Sequence, residues 1–197
     1  MPESPDFSAL IGSRICHDLV NPIGAIGNGV ELMQMDGAAQ GPELALIAES
    51  VANASARIRF FRIAFGASGD QRVARSEVLS ILSDLTQGGR LRIDWTSNTD
   101  LARGEARLAF LAIQCCETVM PYGGTLTVTQ SGAGWEITGQ SGRFRMDEAL
   151  WARLTQTGPQ TDISPAHVQF ALLPLGVADL GRHLTTERTE TDLKLRF

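Results

Sequence analysis

Two stretches of helical periodicity, separated by a break, dominate the first third of the chain. Apolar side chains recur every three or four positions within each stretch, which is the spacing of one face of an α-helix. The segment 36–42 between them contains two glycines and a proline, residues that end a helix and start the next one. Residues 5–68 are therefore predicted to form a hairpin of two long helices. The apolar positions are Ile11, Ile15, Leu19, Ile23, Ile26, Val30 and Met33 in the first helix, and Leu44, Ile47, Val51, Ala54, Ile58, Phe61 and Phe65 in the second, which is predicted over 43–67.

A hairpin of only two helices cannot bury both apolar faces. Such a unit usually completes its core by pairing with another copy or by packing on a second domain. We favour the first solution, a homodimer whose two hairpins form a four-helix bundle.

After a polar break at 67–71, helical and strand periods alternate, which indicates an α/β layer of helices on one face of a sheet. We therefore predict an α+β fold with two domains, a hairpin at 1–70 and an α/β sandwich at 71–197. The predicted helices are 76–85, 104–119, 147–155 and 166–180, and the predicted strands are 91–96, 125–129, 135–138, 184–188 and 193–197, with a turn at 121–124.

Charge and hydropathy exclude several classes of partner. The chain has 17 Lys and Arg against 22 Asp and Glu, a net charge of -5, so attraction to nucleic acid phosphates is not expected. It contains no uninterrupted apolar run of about 18 residues and no apolar signal core at its N-terminus, so no membrane association is expected. The three cysteines, two of them adjacent, fit a reducing compartment. We expect a cytoplasmic protein.

The segment 14–32 holds the candidate site. At about 100° per residue, His17 projects opposite the apolar face of its helix, and Arg14, Asn21, Gly24 and Asn28 fall within about 60° of it. His17 is therefore expected to face water on a polar surface, although an ordinary surface histidine would fit the same pattern. A metal site is not expected, because the other two histidines, His167 and His183, are distant in sequence.

The string around His17 resembles a known signalling motif. His17, Asp18 and Leu19 followed by Pro22 resemble the phosphoacceptor box of histidine kinases. The longer string 14–32 is similar to that of the ChpT family of bacterial histidine phosphotransferases, and the arrangement of hairpin and kinase-like second domain extends the resemblance over the whole chain.

This resemblance implies roles for particular residues. His17 would carry the phosphoryl group on a ring nitrogen, and Asp18 would hydrogen-bond the imidazole and raise its basicity. Asn21 would contact the phosphoryl group or the partner, and Arg14 would offset the phosphoryl charge, although either could be a simple solvent-facing residue. The residues expected to dock the partner are Leu10, Val20, Gly24 and Asn28.

The second domain lacks the residues with which histidine kinases bind ATP. The helix that should supply an asparagine to Mg²⁺ contains none, and Cys115 lies about where the principal one would be. No Asp-x-Gly-x-Gly box follows the strand at 135–138, and Pro174 is expected to interrupt the last helix. We therefore expect a degenerate domain that binds no ATP, other cofactor or metal.

The leading hypothesis is a phosphorelay intermediary. The resemblance implies that it accepts phosphate from the receiver domain of a hybrid histidine kinase and passes it to response regulators, with Mg²⁺ supplied by the receiver. Two alternatives remain open, a non-catalytic binding module or kinase inhibitor and, less favoured, an ATP-dependent histidine kinase.

Overall fold

The computed structural model describes most of the chain beyond residue 41. The described residues are 14, 15, 18, 19, 22, 25, 26, 28, 29, 32, 42–66 (43 and 45 by backbone only), 71–132, 134–156 and 162–197. The ten described between 14 and 32 are all helical, and we call them the N-terminal helical residues. They agree with the first predicted helix.

The second predicted helix is present as α1, Pro42–Ala64. It ends three residues earlier than predicted. At this end, two arginine side chains of a later helix donate hydrogen bonds to its last carbonyl groups. Arg103 Nη2 donates to Arg62 O at 2.7 Å and Arg107 Nε donates to Ala64 O at 3.3 Å. These bonds satisfy carbonyls that a helix end leaves without partners.

Strands and helices alternate along the remainder of the chain, and every predicted element is found within a few residues of its expected place. The elements are β1 Arg72–Val73, α2 Arg75–Thr86, β2 Leu91–Trp95, β3 Leu101–Ala102, α3 Arg103–Val119, β4 Gly124–Ser131, β5 Gly134–Gln140, α4 Glu148–Ala152, a 3₁₀ turn Pro165–His167, α5 Gln169–Asp179, β6 Thr185–Arg188 and β7 Asp192–Arg196.

Five strands form the main sheet in the order β2-β4-β5-β7-β6. Strands β2 and β4 are parallel, because the crossover between them passes through α3, and the other neighbouring pairs are antiparallel. The predicted α+β class is confirmed. The turn before β4 requires glycine at 123, where φ is +90° and a Cβ atom would lie 2.3 Å from Arg90 O.

One face of the sheet and helix α3 form the core. Alternate residues of β4, β5 and β7 are buried, and residues 108–116 of α3 are all buried. Phe60 of α1 stacks on Phe110 of α3, with ring centroids 4.7 Å apart. The carboxyl end of α1 therefore shares the core of the C-terminal half. The domain boundary predicted at residue 70 falls among residues 67–70, which lie outside the described residues, and stays a prediction.

The apolar stripe predicted for α1 divides into two parts. Phe61 and Phe65 are buried, whereas Leu44, Val51 and Ile58 are 45%, 46% and 51% exposed. These three side chains are seven positions apart and so lie along one face of the helix. Within the described part of one chain, nothing covers that face.

One helix is shorter than predicted, and one local expectation is wrong. Helix α4 is only Glu148–Ala152, begun by Asp147, whose Oδ1 accepts from the Leu150 amide at 3.0 Å, and it passes into turns. Pro174 does not interrupt α5, because the helix continues through it. The buried face of Phe170, Leu173 and Val177 holds α5 together, which offsets the roughly 3 kcal/mol that an internal proline costs.

The described helices include none that combines the length and the apolar character needed to span a membrane.

Candidate functional site at the junction of the hairpin and the C-terminal half

The structure describes three of the predicted site residues, Arg14, Asp18 and Asn28. His17, the predicted phosphoacceptor, lies outside the described residues, as do the other four, Leu10, Val20, Asn21 and Gly24. Asn28 is exposed, as a docking residue would need to be. The geometry of the site is therefore built from Arg14, Asp18 and the residues that surround them.

Arg14 and Asp18 form an ion pair one helical turn apart. The distance from Arg14 Nη2 to Asp18 Oδ2 is 2.6 Å, and the side chains are only 12% and 10% exposed. Arg14 Nη1 donates at 2.7 Å to the carbonyl oxygen of Ala166, in the 3₁₀ turn before α5. The expectation that Arg14 belongs to a water-facing surface is wrong. Ile15 of the predicted apolar side packs against the core, but the C-terminal half covers part of the polar side as well.

Burial affects the guanidinium without removing its charge. Burial lowers the pKa of Arg14, and the negative charges of Asp18 and Glu117 act in the opposite direction. An arginine so close to a carboxylate stays protonated near neutral pH. The pair is therefore a charged contact at the junction of two parts of the chain.

A polar cavity of about 440 Å³ opens beside this ion pair. Its walls come from the N-terminal helical residues, α1, the end of α3 and the 3₁₀ turn. On the side formed by α1 and α3, Arg57 Nη2 lies 3.4 Å from Glu117 Oε1. Two arginines and two carboxylates thus balance each other around the cavity. The lining residues are Arg14, Asp18, Pro22, Asn53, Arg57, Glu117, Thr118, Ala166 and His167.

His167 is the one described histidine at this junction. Its Nδ1 lies 3.0 Å from Ser164 Oγ. Burial, and then the positive charge of Arg14, lower its pKa, while Asp147 acts in the opposite direction. The imidazole is therefore neutral near pH 7.

Sequence reasoning missed most of these lining residues. Arg57, Glu117 and His167 come from three elements, and no local pattern brings them together with Arg14. The only signal was that charged residues occur on otherwise apolar helices, which is equally typical of a solvent-facing position.

The adjacent cysteines belong to the core. Cys115 and Cys116 are fully buried, and burial raises the pKa of both thiols. At neutral pH they are protonated apolar side chains without ligand character. Among the described residues, no three His, Cys, Asp or Glu side chains are grouped so that they could hold a metal ion.

The family model, one relative and one solved structure all describe phosphotransferases. A family model described as the histidine phosphotransferase C-terminal domain matches residues 75–192. The protein phosphotransferase ChpT of Brucella abortus (strain 2308) is 29% identical over 195 residues, which cover 95% of this chain and 93% of that protein. A bacterial phosphotransferase solved at 1.7 Å is 28% identical, with a TM-score of 0.84 over 100% of this chain and 97% of that one. The histidine kinase domain of the Erythrobacter litoralis EL346 blue-light activated histidine kinase is 12% identical, with a TM-score of 0.43 over 98% of this chain and 93% of that one.

The fold and the matches define a protein phosphotransferase with an α+β C-terminal half. The chain belongs to the ChpT-type family of histidine phosphotransferases. This confirms the family suggested by the motif at 14–32 and supports a phosphotransferase role in a phosphorelay.

Proposed function

We propose that the protein is a phosphorelay intermediary that accepts a phosphoryl group on His17. The donor is the phosphorylated aspartate of the receiver domain of a hybrid histidine kinase, and the acceptors are the aspartates of response regulators. The observation that carries the proposal is the match over nearly the whole chain to a phosphotransferase, together with the motif His17, Asp18, Leu19 and Pro22.

The chemistry needs one neutral imidazole and no resident cofactor. An unprotonated ring nitrogen of His17 attacks the phosphorus, the nitrogen–phosphorus bond forms, and the acyl oxygen–phosphorus bond breaks to release the donor carboxylate. The proton on the other ring nitrogen passes to a nearby carboxylate or to water. The reverse sequence on a second receiver returns the imidazole to its starting state. Mg²⁺ is provided by the receiver domain.

Residues near His17 in the sequence orient the imidazole and bind the partner. Asp18 orients the imidazole as carboxylates do beside working histidines, and Asn21 contacts the phosphoryl group or the partner. Leu10, Val20, Gly24 and Asn28 form the docking surface for the receiver, which the exposure of Asn28 supports.

The protein acts as a homodimer in the cytoplasm, with two His17 sites on a four-helix bundle. Support for the dimer comes from the uncovered face of Leu44, Val51 and Ile58 on α1. A second hairpin would bury these side chains, at about 25 cal/mol per Å² of apolar surface removed from water.

The C-terminal half works without nucleotide. Cys115, at the position where a kinase would need a hard oxygen ligand for Mg²⁺, is a fully buried thiol. Trp151 packs edge-on against Phe170 of α5, with ring centroids 6.2 Å apart. These apolar contacts favour a structural or docking role for this half.

The test is transfer from a receiver domain charged with radiolabelled phosphate. The wild-type protein should become labelled from the charged receiver and pass the label to a response regulator. His17→Ala should remove labelling completely while leaving the circular dichroism spectrum unchanged. His183→Ala is the matched control, because His183 is exposed and does not line the junction cavity, and it should transfer at the wild-type rate.

Other outcomes would contradict the proposal. Transfer by His17→Ala would mean that another residue carries the phosphoryl group. Labelling from ATP alone would favour an ATP-dependent kinase, and no labelling from either source would favour a binding module or kinase inhibitor.

A further inference from the structure

Arg14 joins the N-terminal helical residues to the C-terminal half. Its two terminal nitrogens are divided between two parts of the fold: Nη2 meets Asp18 at 2.6 Å, and Nη1 donates to Ala166 O at 2.7 Å. Ala166 is 152 positions further along the chain. One guanidinium therefore fixes both the side chain of Asp18 and the 3₁₀ turn before α5.

The arrangement argues against a direct contact between Arg14 and a phosphoryl group. The charge of Arg14 is already balanced by Asp18, and its side chain is only 12% exposed. To bind a phosphoryl group it would have to leave a partly buried carboxylate and a carbonyl, both of which would lose a charge-assisted hydrogen bond.

The other guanidinium contacts between the hairpin and the C-terminal half lie elsewhere. They are made by Arg57, Arg59, Arg62, Arg103 and Arg107. All of these involve α1. Within the described residues, the hydrogen bond from Arg14 Nη1 to Ala166 O links the C-terminal half to the N-terminal helix beside residue 17.

We propose that Arg14 is a positioning residue for phosphotransfer, which holds Asp18 and the adjoining helix in a fixed orientation against the turn Pro165–His167. The proposal rests on the proposed function of His17. Because His17 is covalently next to Asp18, a shift of the helix at Asp18 moves the imidazole relative to a docked receiver. In-line transfer is sensitive to such shifts, and a displacement of about 1 Å can cost about a hundredfold in rate.

Replacing Arg14 by lysine or by glutamine distinguishes a positioning role from an effect of its charge. Lysine keeps the positive charge but loses the planar fork that serves two acceptors at once. We expect Arg14→Lys and Arg14→Gln to transfer phosphate at similarly reduced rates, about tenfold below wild type in single-turnover measurements with a charged receiver. A near-normal rate for Arg14→Lys beside a slow Arg14→Gln would overturn the proposal in favour of a charge effect.

Hydrogen exchange of the unphosphorylated protein gives a readout that a phosphoryl contact would not change. The amides of His167 and Val168 donate to the carbonyls of Ser164 and Pro165 within the turn. Both should exchange faster in Arg14→Lys than in wild type. Slow transfer with unchanged exchange at these amides would overturn the positioning role and indicate direct contact with the phosphoryl group.

Two further variants keep the test decisive. Arg62→Gln is the matched control, because Arg62 pairs with Glu77 at 3.4 Å on the exposed surface, and it should leave transfer and exchange unchanged. Ala166→Gly loosens the turn without altering Arg14, so it should slow transfer, and its effect should not add to that of Arg14→Lys. Full additivity, or equal slowing by Arg62→Gln, would overturn the proposal.

Failure of the proposed function is seen separately. It would show as transfer by His17→Ala, whereas the exchange experiment judges the Arg14 contact without any phosphotransfer.

Discussion

Helices α1 and α3 are both long and carry many apolar side chains, yet they bury these side chains to different extents. Helix α3 lies between the sheet and the helices α1 and α5, and residues 108–116 are buried without interruption. Helix α1 contacts α2 and α3 with its carboxyl end, while Leu44, Val51 and Ile58 stay about half exposed. A helix segment that is buried on all sides is stabilised within one chain, and a helix with a leftover apolar face is suited to a second copy.

The largest effect is expected in the middle of α3. Phe110 contacts Phe60 and Trp95, with ring centroids 4.7 and 6.4 Å away. Phe110→Ala should lower the free energy of unfolding by about 3 to 5 kcal/mol, because it removes a fully buried ring and leaves a cavity. Urea denaturation measures this, and a loss below about 1 kcal/mol would show that α3 is not the centre of the core.

A smaller effect is expected at the amino end of α3, where Glu105 is held within the chain. Its Oε1 lies 2.6 Å from Arg182 Nη2, and its Oε2 accepts from Trp135 Nε1 at 2.7 Å. Partial burial alone would raise the pKa of Glu105, but the hydrogen bonds from Arg182 and Trp135 outweigh it and hold the pKa below its usual value. Glu105→Gln should cost about 1 to 2 kcal/mol of unfolding free energy at pH 7.

The pH dependence of that cost has a definite sign. Because the folded-state pKa is depressed, the stabilisation is complete above the ordinary glutamate pKa of about 4.3. It is lost as the pH falls through the lower folded-state pKa. Denaturation of wild type and Glu105→Gln should therefore differ most at neutral pH and converge in acid. A difference that stayed constant down to pH 2 would mean that the carboxylate charge contributes nothing.

The smallest effect on the single chain is expected at Ile58, on the uncovered face of α1. With its side chain 51% exposed, Ile58→Ala should change the unfolding free energy of a single chain by about 0.5 kcal/mol or less. Self-association should weaken about tenfold, because the same side chain would be buried between two hairpins. Sedimentation equilibrium measures this. Unchanged association, or a wild-type protein that is monomeric throughout, would contradict the dimeric bundle.

Local patterns in the sequence predicted most of the fold. The strands β4, β5 and β7 alternate buried and half-buried residues, a signal that depends only on the two-residue period of a strand. The turn at 121–124 was signalled by its glycines. The prediction that Pro174 interrupts α5 was wrong, because it rested only on the local cost of one proline. The stabilisation of α5 comes from buried side chains that pack against the rest of the chain.

The candidate site was predicted only in part. The motif at 17–22 identified the family, which the comparisons confirm. The prediction that Arg14 faces water was wrong. A helical wheel distinguishes apolar from polar positions, but it does not show which polar positions another segment will cover.

Apart from the two-residue strands β1 and β3, which were not predicted, the sequence by itself determined the order and type of the elements. It also determined the apolar faces of the helices and the family motif, because each depends on residues close together along the chain. Only the tertiary structure decided that Arg14 meets Ala166 across 152 positions, that Arg57 meets Glu117, and that part of α1 stays uncovered. These contacts depend on how the helices and strands pack together. Local periodicity carries no information about which distant segment supplies the contacting residue.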